Sequence, residues 1–198
     1  MRKIYVLTVV VLIALTAQGQ KKIEGQNLSI SSGKGALSSG ILFNANFKRG
    51  NDLLNFTLGE RDIYLTYMKK IGKFYTGPSI EFYHNVPTMG LITSLPIINK
   101  KKFSLSLMNW FGISAGIPGE KADFNNFQLL FFYQSAEIAY QRISLNGAIL
   151  WYEKKWGKLF EFKYKQPLIE NFGCFMSAGY NFYGDGDYLF KIGLNYTL

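Results

Sequence analysis

Alternation with a period of two runs through most of this chain. Near its end, Tyr188, Phe190, Ile192, Leu194, Tyr196 and Leu198 are apolar or aromatic, while Leu189, Lys191, Gly193, Asn195 and Thr197 between them are mostly polar or small. A β-strand sends successive side chains to opposite faces, so this stretch is a strand with one oily and one wet face. The same pattern predicts a first strand over 37–48, where Ile41, Phe43, Ala45 and Phe47 oppose Leu42, Asn44, Asn46 and Lys48. Further strands are predicted over 73–83, 88–97, 102–112, 124–139, 141–153, 158–165 and 172–183. In the 124–139 strand, Phe131 and Tyr133 are assigned to the oily face and Gln128 and Gln134 to the wet one. The stretch 54–67 changes phase at 59–62, which either a bulge or a true turn explains. Residues 20–36 are polar and rich in Gly and Ser, and read as a lead-in with room for a short strand at 28–30. Turn residues separate the strands closely, so the chain is an antiparallel meander of about ten strands, with eight or twelve allowed.

Such a sheet must either bury its apolar face or turn it to lipid. Composition favours lipid: 48% of residues are hydrophobic, 17% aromatic and only 18% charged. No apolar run approaches the roughly 18–20 residues of a membrane helix. A strand of about ten residues, by contrast, is long enough to cross a bilayer at a tilt. The aromatics also gather towards the strand ends, with Trp110, Trp151 and Tyr188 at one end and Tyr67, Tyr140 and Tyr196 at the other. Two such belts suit a barrel in a bilayer. At the start, Arg2 and Lys3 precede an apolar run over 4–15 and the small-residue site Ala17-Gln18-Gly19. This reads as a secretory signal peptide over 1–19, followed by a periplasmic lead-in over 20–36 and the barrel over 37–198.

The run Lys191-x-Gly193-x-x-Tyr196-x-Leu198 resembles the closing strand of bacterial outer-membrane β-barrels. The resemblance implies an all-β, antiparallel, up-and-down transmembrane β-barrel in the bacterial outer membrane, surrounded by lipid. It also implies that Lys191, Gly193, Tyr196 and Leu198 are an assembly signal read by the barrel-assembly machinery. The last strand is expected to close the barrel against the strand near 41–47.

The formal net charge is +9. The basic residues cluster in turn-like sites such as Lys69-Lys70 and Lys100-Lys101-Lys102, so solvated turns or anionic headgroups account for them and nucleic acid does not. Charges within strands fall on the wet phase: Glu81, Glu137, Glu161, Lys163, Lys165 and Lys191 are the lumen-facing candidates. Mixed signs in a narrow interior are expected to form salt bridges and plug it. Cys174 stands alone on an apolar phase, as a small hydrophobe. His84 is the single histidine, and its surroundings lack a His-x-Ser pair. No metal or cofactor site is indicated. The sequence reading is a non-enzymatic outer-membrane barrel, structural or a narrow passive channel. Two alternatives stay open: a lipid-modifying hydrolase centred on His84, and a soluble exported barrel holding an apolar ligand.

Overall fold

The computed structural model describes residues 26–34, 39–59, 62–83, 86–116, 129–152, 155–182 and 186–197. The predicted signal peptide, His84 and Leu198 lie outside them. Six strands make the first half: β1 (Gln26–Lys34), β2 (Ser39–Arg49), β3 (Asp52–Leu58), β4 (Ile63–Ile71), β5 (Phe74–Tyr83) and β6 (Val86–Asn99). The second half is β7 (Phe103–Ser114), β8 (Leu129–Tyr140), β9 (Ile143–Tyr152), β10 (Lys155–Ile169), β11 (Phe172–Asn181) and β12 (Asp187–Thr197). Each strand pairs antiparallel with its sequence neighbours, and β1 pairs with β12 to close a barrel of twelve strands.

The two strands beyond the expected ten have separate origins. Residues 26–34, expected as a lead-in, form β1 and run in register from Asn27↔Thr197 to Lys34↔Phe190 against β12. The closing partner of the last strand is therefore β1, and the strand near 41–47 is its next neighbour, β2. The short strand expected at 28–30, where Leu28 and Ile30 alternate with Asn27, Ser29 and Ser31, extends through the Gly and Ser residues to the whole of 26–34. The phase change at 59–62 is a true turn: Leu58 pairs with Ile63, and Gly59 N donates to Asp62 O at 2.7 Å.

The orientation of β8 also differs from expectation. Phe131 and Tyr133 are buried in the interior at 3% and 7% exposure, while Leu130 and Ile138 are 45% and 47% exposed on the outside. Over its first half, Leu129 to Tyr133, both faces of this strand are apolar, so alternation offers no contrast to read there. Gln134 gave the wrong cue. It faces outward, where its Nε2 donates to Asn109 Oδ1 at 2.9 Å.

The two rims are unlike. At one, tight turns join β2 to β3, β4 to β5, β8 to β9 and β10 to β11, and the first and last strands also end there. Gly50 and Gly72 sit in these turns with φ of 56° and 61°, which glycine adopts without strain. Adjacent turns are tied together: Lys70 N donates to Asn51 O at 2.7 Å, Lys165 N to Arg142 O at 2.8 Å, and Thr197 N to Asn171 O at 2.9 Å. The other rim includes the long connection 115–128. Between the rims the outer wall is oily, with Ile30, Leu91, Phe160, Phe190, Ile192 and Leu194 all at least 42% exposed. Closure leaves no unpaired sheet edge.

Candidate functional site

The side chains that point inward divide the lumen into two zones. Along β10, from the long-connection end to the turn end, the inward residues are Leu159, Glu161, Lys163 and Lys165. Along β12 they begin with Leu189 and Lys191, and along β8 they run Phe131, Tyr133, Ser135, Glu137. Each of these strands changes from apolar to polar in the same direction.

The apolar zone is a packed cluster. Trp110, Phe131, Tyr133, Tyr152, Leu159 and Leu189 belong to it, all buried, with Met68, Ile92 and Ala148 extending it along the wall. Trp110 and Phe131 meet edge to face at 4.3 Å between centroids. Trp110, expected in an outer belt, is thus an interior residue at 9% exposure. Glycines make room for these rings. A Cβ on Gly112 would lie 2.7 Å from the Phe131 ring, and one on Gly90 would lie 2.9 Å from Trp110 Nε1. Small residues opposite large ones are how a narrow barrel fills its interior. Tyr152 Oη donates to Gly116 O, tying the cluster to the rim.

The polar zone is a cavity of about 450 Å³ towards the turn end. Glu137, Glu161, Lys163 and Lys191 line it together. Facing them are hydroxyls and amides from the first strands: Asn27, Ser29, Ser31, Asn44, Asn46 and Thr57. Thr57 Oγ1 donates to Asn44 Oδ1 at 2.8 Å, and Asn44 Nδ2 donates to Ser29 Oγ at 3.4 Å. Lys163 Nζ sits 4.2 Å from the centroid of the Phe175 ring, a cation–π contact. Phe175 in turn lies over Gly193, where a Cβ would come within 2.6 Å of its ring. The glycine of the closing-strand pattern is thus a packing requirement of the lumen.

The remaining candidates lie apart from this cavity. Lys165 is exposed nearer the turn rim. Glu81 is 5% exposed on β5, and its Oε2 has no hydrogen-bond partner. The expected salt-bridged plug is not what fills the interior. Among the described residues the ion pair is Lys34–Asp187, at the long-connection rim, and none joins the cavity charges. Carbon does the filling, because the strands supply large apolar side chains to the inner face as well as charges. Asn44 and Asn46 of the amide and hydroxyl wall stand on the predicted wet face of β2, whereas Asn27, Ser29 and Ser31 lie in the segment expected as a lead-in.

Two carboxylates opposed by two ammonium groups leave the cavity near charge balance. Its amides and hydroxyls can replace the hydration of a small polar solute or ion. No group of three or more His, Cys, Asp or Glu side chains placed to hold a metal occurs among the described residues.

No family model and no curated protein matches the sequence. Solved structures do match the fold. The KdgM porin aligns with a TM-score of 0.51 at 8% identity, over 87% of this chain and 98% of that one. The KdgM porin in complex with disordered oligogalacturonate gives 0.50 at 8% identity, with the same coverage of 87% and 98%. A loop L8 deletion mutant of OmpT, an outer membrane protein of Vibrio cholerae, gives 0.41 at 10% identity, over 83% of this chain and 66% of that one. Closed, antiparallel and polar within an oily wall, this chain has the fold of bacterial outer-membrane β-barrel proteins.

Proposed function

We propose that this chain is an integral protein of the bacterial outer membrane, exported by the signal peptide at 1–19, and acts as a narrow passive channel without enzymatic activity. The observation that carries the reading is the pairing of an oily outer wall with a polar cavity inside it, closed towards one rim by the Trp110–Phe131 cluster. Twelve strands enclose more space than an eight-strand barrel, which side chains fill, and less than the wide porins of sixteen or more. In this reading the apolar cluster is the constriction, and the cavity is a vestibule that hydrates small polar solutes. A soluble carrier of an apolar ligand would need the opposite arrangement, with a charged outside. No observation favours the His84 hydrolase.

The orientation follows from the rims. Outer-membrane barrels put short turns in the periplasm and longer loops outside. The turn rim and both strand termini then face the periplasm, and exposed Lys69, Lys70, Lys100, Lys101, Lys102 and Arg142 lie at the level of the lipid headgroups. Lys191, Gly193, Tyr196 and Leu198 serve as the signal for the barrel-assembly machinery.

Conductance of the purified chain in planar bilayers tests the proposal. Small, weakly ion-selective steps are expected. Steps as large as those of wide porins would contradict the constriction, and silence that persists after the cluster is truncated would assign a purely structural role.

A further inference from the structure

The outer wall is not uniformly oily. Across β5 to β8, Thr76, Thr93, Asn109 and Gln134 are successive register partners on one row. All four share the outward phase of exposed neighbours: Phe74 and Ile80 on β5, Leu91 on β6, Phe111 on β7 and Ile138 on β8. Asn109 and Gln134 stand near the middle of their strands, so the row crosses the centre of the oily belt. On the other side of the barrel, the outward phase of β12 carries Phe190, Ile192 and Leu194 at the same depth, with no polar group.

The row satisfies itself only in part. Thr76 Oγ1 lies 3.0 Å from Ile92 O and 3.1 Å from Thr93 Oγ1. Gln134 Nε2 donates to Asn109 Oδ1 at 2.9 Å. Asn109 Nδ2 and Gln134 Oε1 have no partner among the described residues. Hydrocarbon offers neither a donor nor an acceptor, so an amide N–H and an amide C=O left unpaired there are costly.

We propose that this row is the contact surface of a homodimer, in which Asn109 Nδ2 of each copy donates to Gln134 Oε1 of the other. The inference rests on the membrane reading above. Complementarity of partial charge points to a second copy as the occupant. The unused groups are one donor and one acceptor side by side, and a two-fold axis between two such rows pairs both at once. Lipid tails can pair neither. Ala136, the next outward residue on β8, is small and opposite Leu107, which lets two walls approach closely. Interhelical hydrogen bonds in membranes are individually modest, so the row specifies the contact while packing of the surrounding side chains supplies much of the affinity.

The test is sedimentation equilibrium of the full chain in density-matched detergent, with energy transfer between labelled copies in lipid vesicles. Heat-modifiable migration on gels is read first on the same samples. The wild type should sediment as a dimer. The double variant Asn109→Leu/Gln134→Leu should keep its heat-modifiable band and dissociate at least about ten-fold more readily, the scale of two lost membrane hydrogen bonds. The control Ile192→Leu, on the opposite wall, should associate like the wild type. A folded monomeric wild type, or a double variant that dimerises as tightly as the wild type, overturns the dimer and leaves the barrel intact. Absence of the heat-modifiable band would instead remove the barrel reading on which the dimer depends.

Discussion

Truncating Phe131 to Ala should both loosen the barrel and widen the channel. The ring is 3% exposed, stands edge to face with Trp110 at 4.3 Å, and covers Gly112. Removing a buried Phe ring costs about 3–5 kcal/mol, because apolar contacts are lost and the cavity left behind collapses only partly. The aromatic pair accounts for about 0.5–1.5 kcal/mol of that. Gly112, the register partner of Phe131 on the neighbouring strand, has no side chain to fill the space, so the void should persist and connect the polar vestibule to the long-connection rim. Denaturant unfolding of the vesicle-reconstituted barrel, followed by tryptophan fluorescence, measures the first effect. Planar-bilayer conductance measures the second, with larger and more frequent steps than the wild type. Phe132→Ala is the control, since its side chain points outward and its loss should leave conductance unchanged. A stability loss under about 1 kcal/mol together with unchanged conductance would refute the idea that this cluster packs and closes the lumen.

Other perturbations probe the remaining parts of the account. Lys163→Glu, made in the Phe131→Ala background, should shift reversal potentials towards cation selectivity, since it replaces an ammonium group in the cavity wall with a third carboxylate beside Glu137 and Glu161; an unchanged reversal potential would place the conducting path elsewhere. Gly193→Val should lower the yield of heat-modifiable barrel sharply, because even a Cβ there meets Ile30 O and the Phe175 ring at 2.6 Å; normal yield would show that the seam tolerates a side chain. Ile192→Lys, at an outer position 57% exposed, should cost about 2–4 kcal/mol in lipid, the usual penalty for a midplane lysine on a barrel wall. A stability change near zero in the same unfolding assay would mean that this wall does not face hydrocarbon.

Much of the architecture was legible because one physical contrast repeats: an oily face outside, a more polar face inside, period two between them. Strands such as β10, with Phe160 and Phe162 against Glu161 and Lys163, announce both faces. Where the contrast fades, so does the reading. The first half of β8 is apolar on both faces because Phe131 and Tyr133 join the interior cluster, and no alternation rule distinguishes a ring on the outer wall from one in the lumen. β1 is longer than the short strand expected at 28–30 for the opposite reason, since Asn27, Ser29 and Ser31 make a wet face in a strand whose oily face is only Leu28 and Ile30. The charged positions of the cavity were visible as wet-phase residues. Their arrangement as separated charges around a void was not, because that depends on which strands face each other across the barrel. Asn109 and Gln134 lie twenty-five residues apart in sequence, and only the register between β7 and β8 brings them together.

The most direct test of the account is gel migration of the purified full chain in detergent, heated and unheated, alongside fractionation of the membranes that express it. A closed membrane barrel should run as a compact, faster band when unheated, convert to the unfolded position on boiling, and stay with the outer membrane after carbonate washing. Identical migration of the two samples, with the protein recovered from the soluble fraction, would contradict the account.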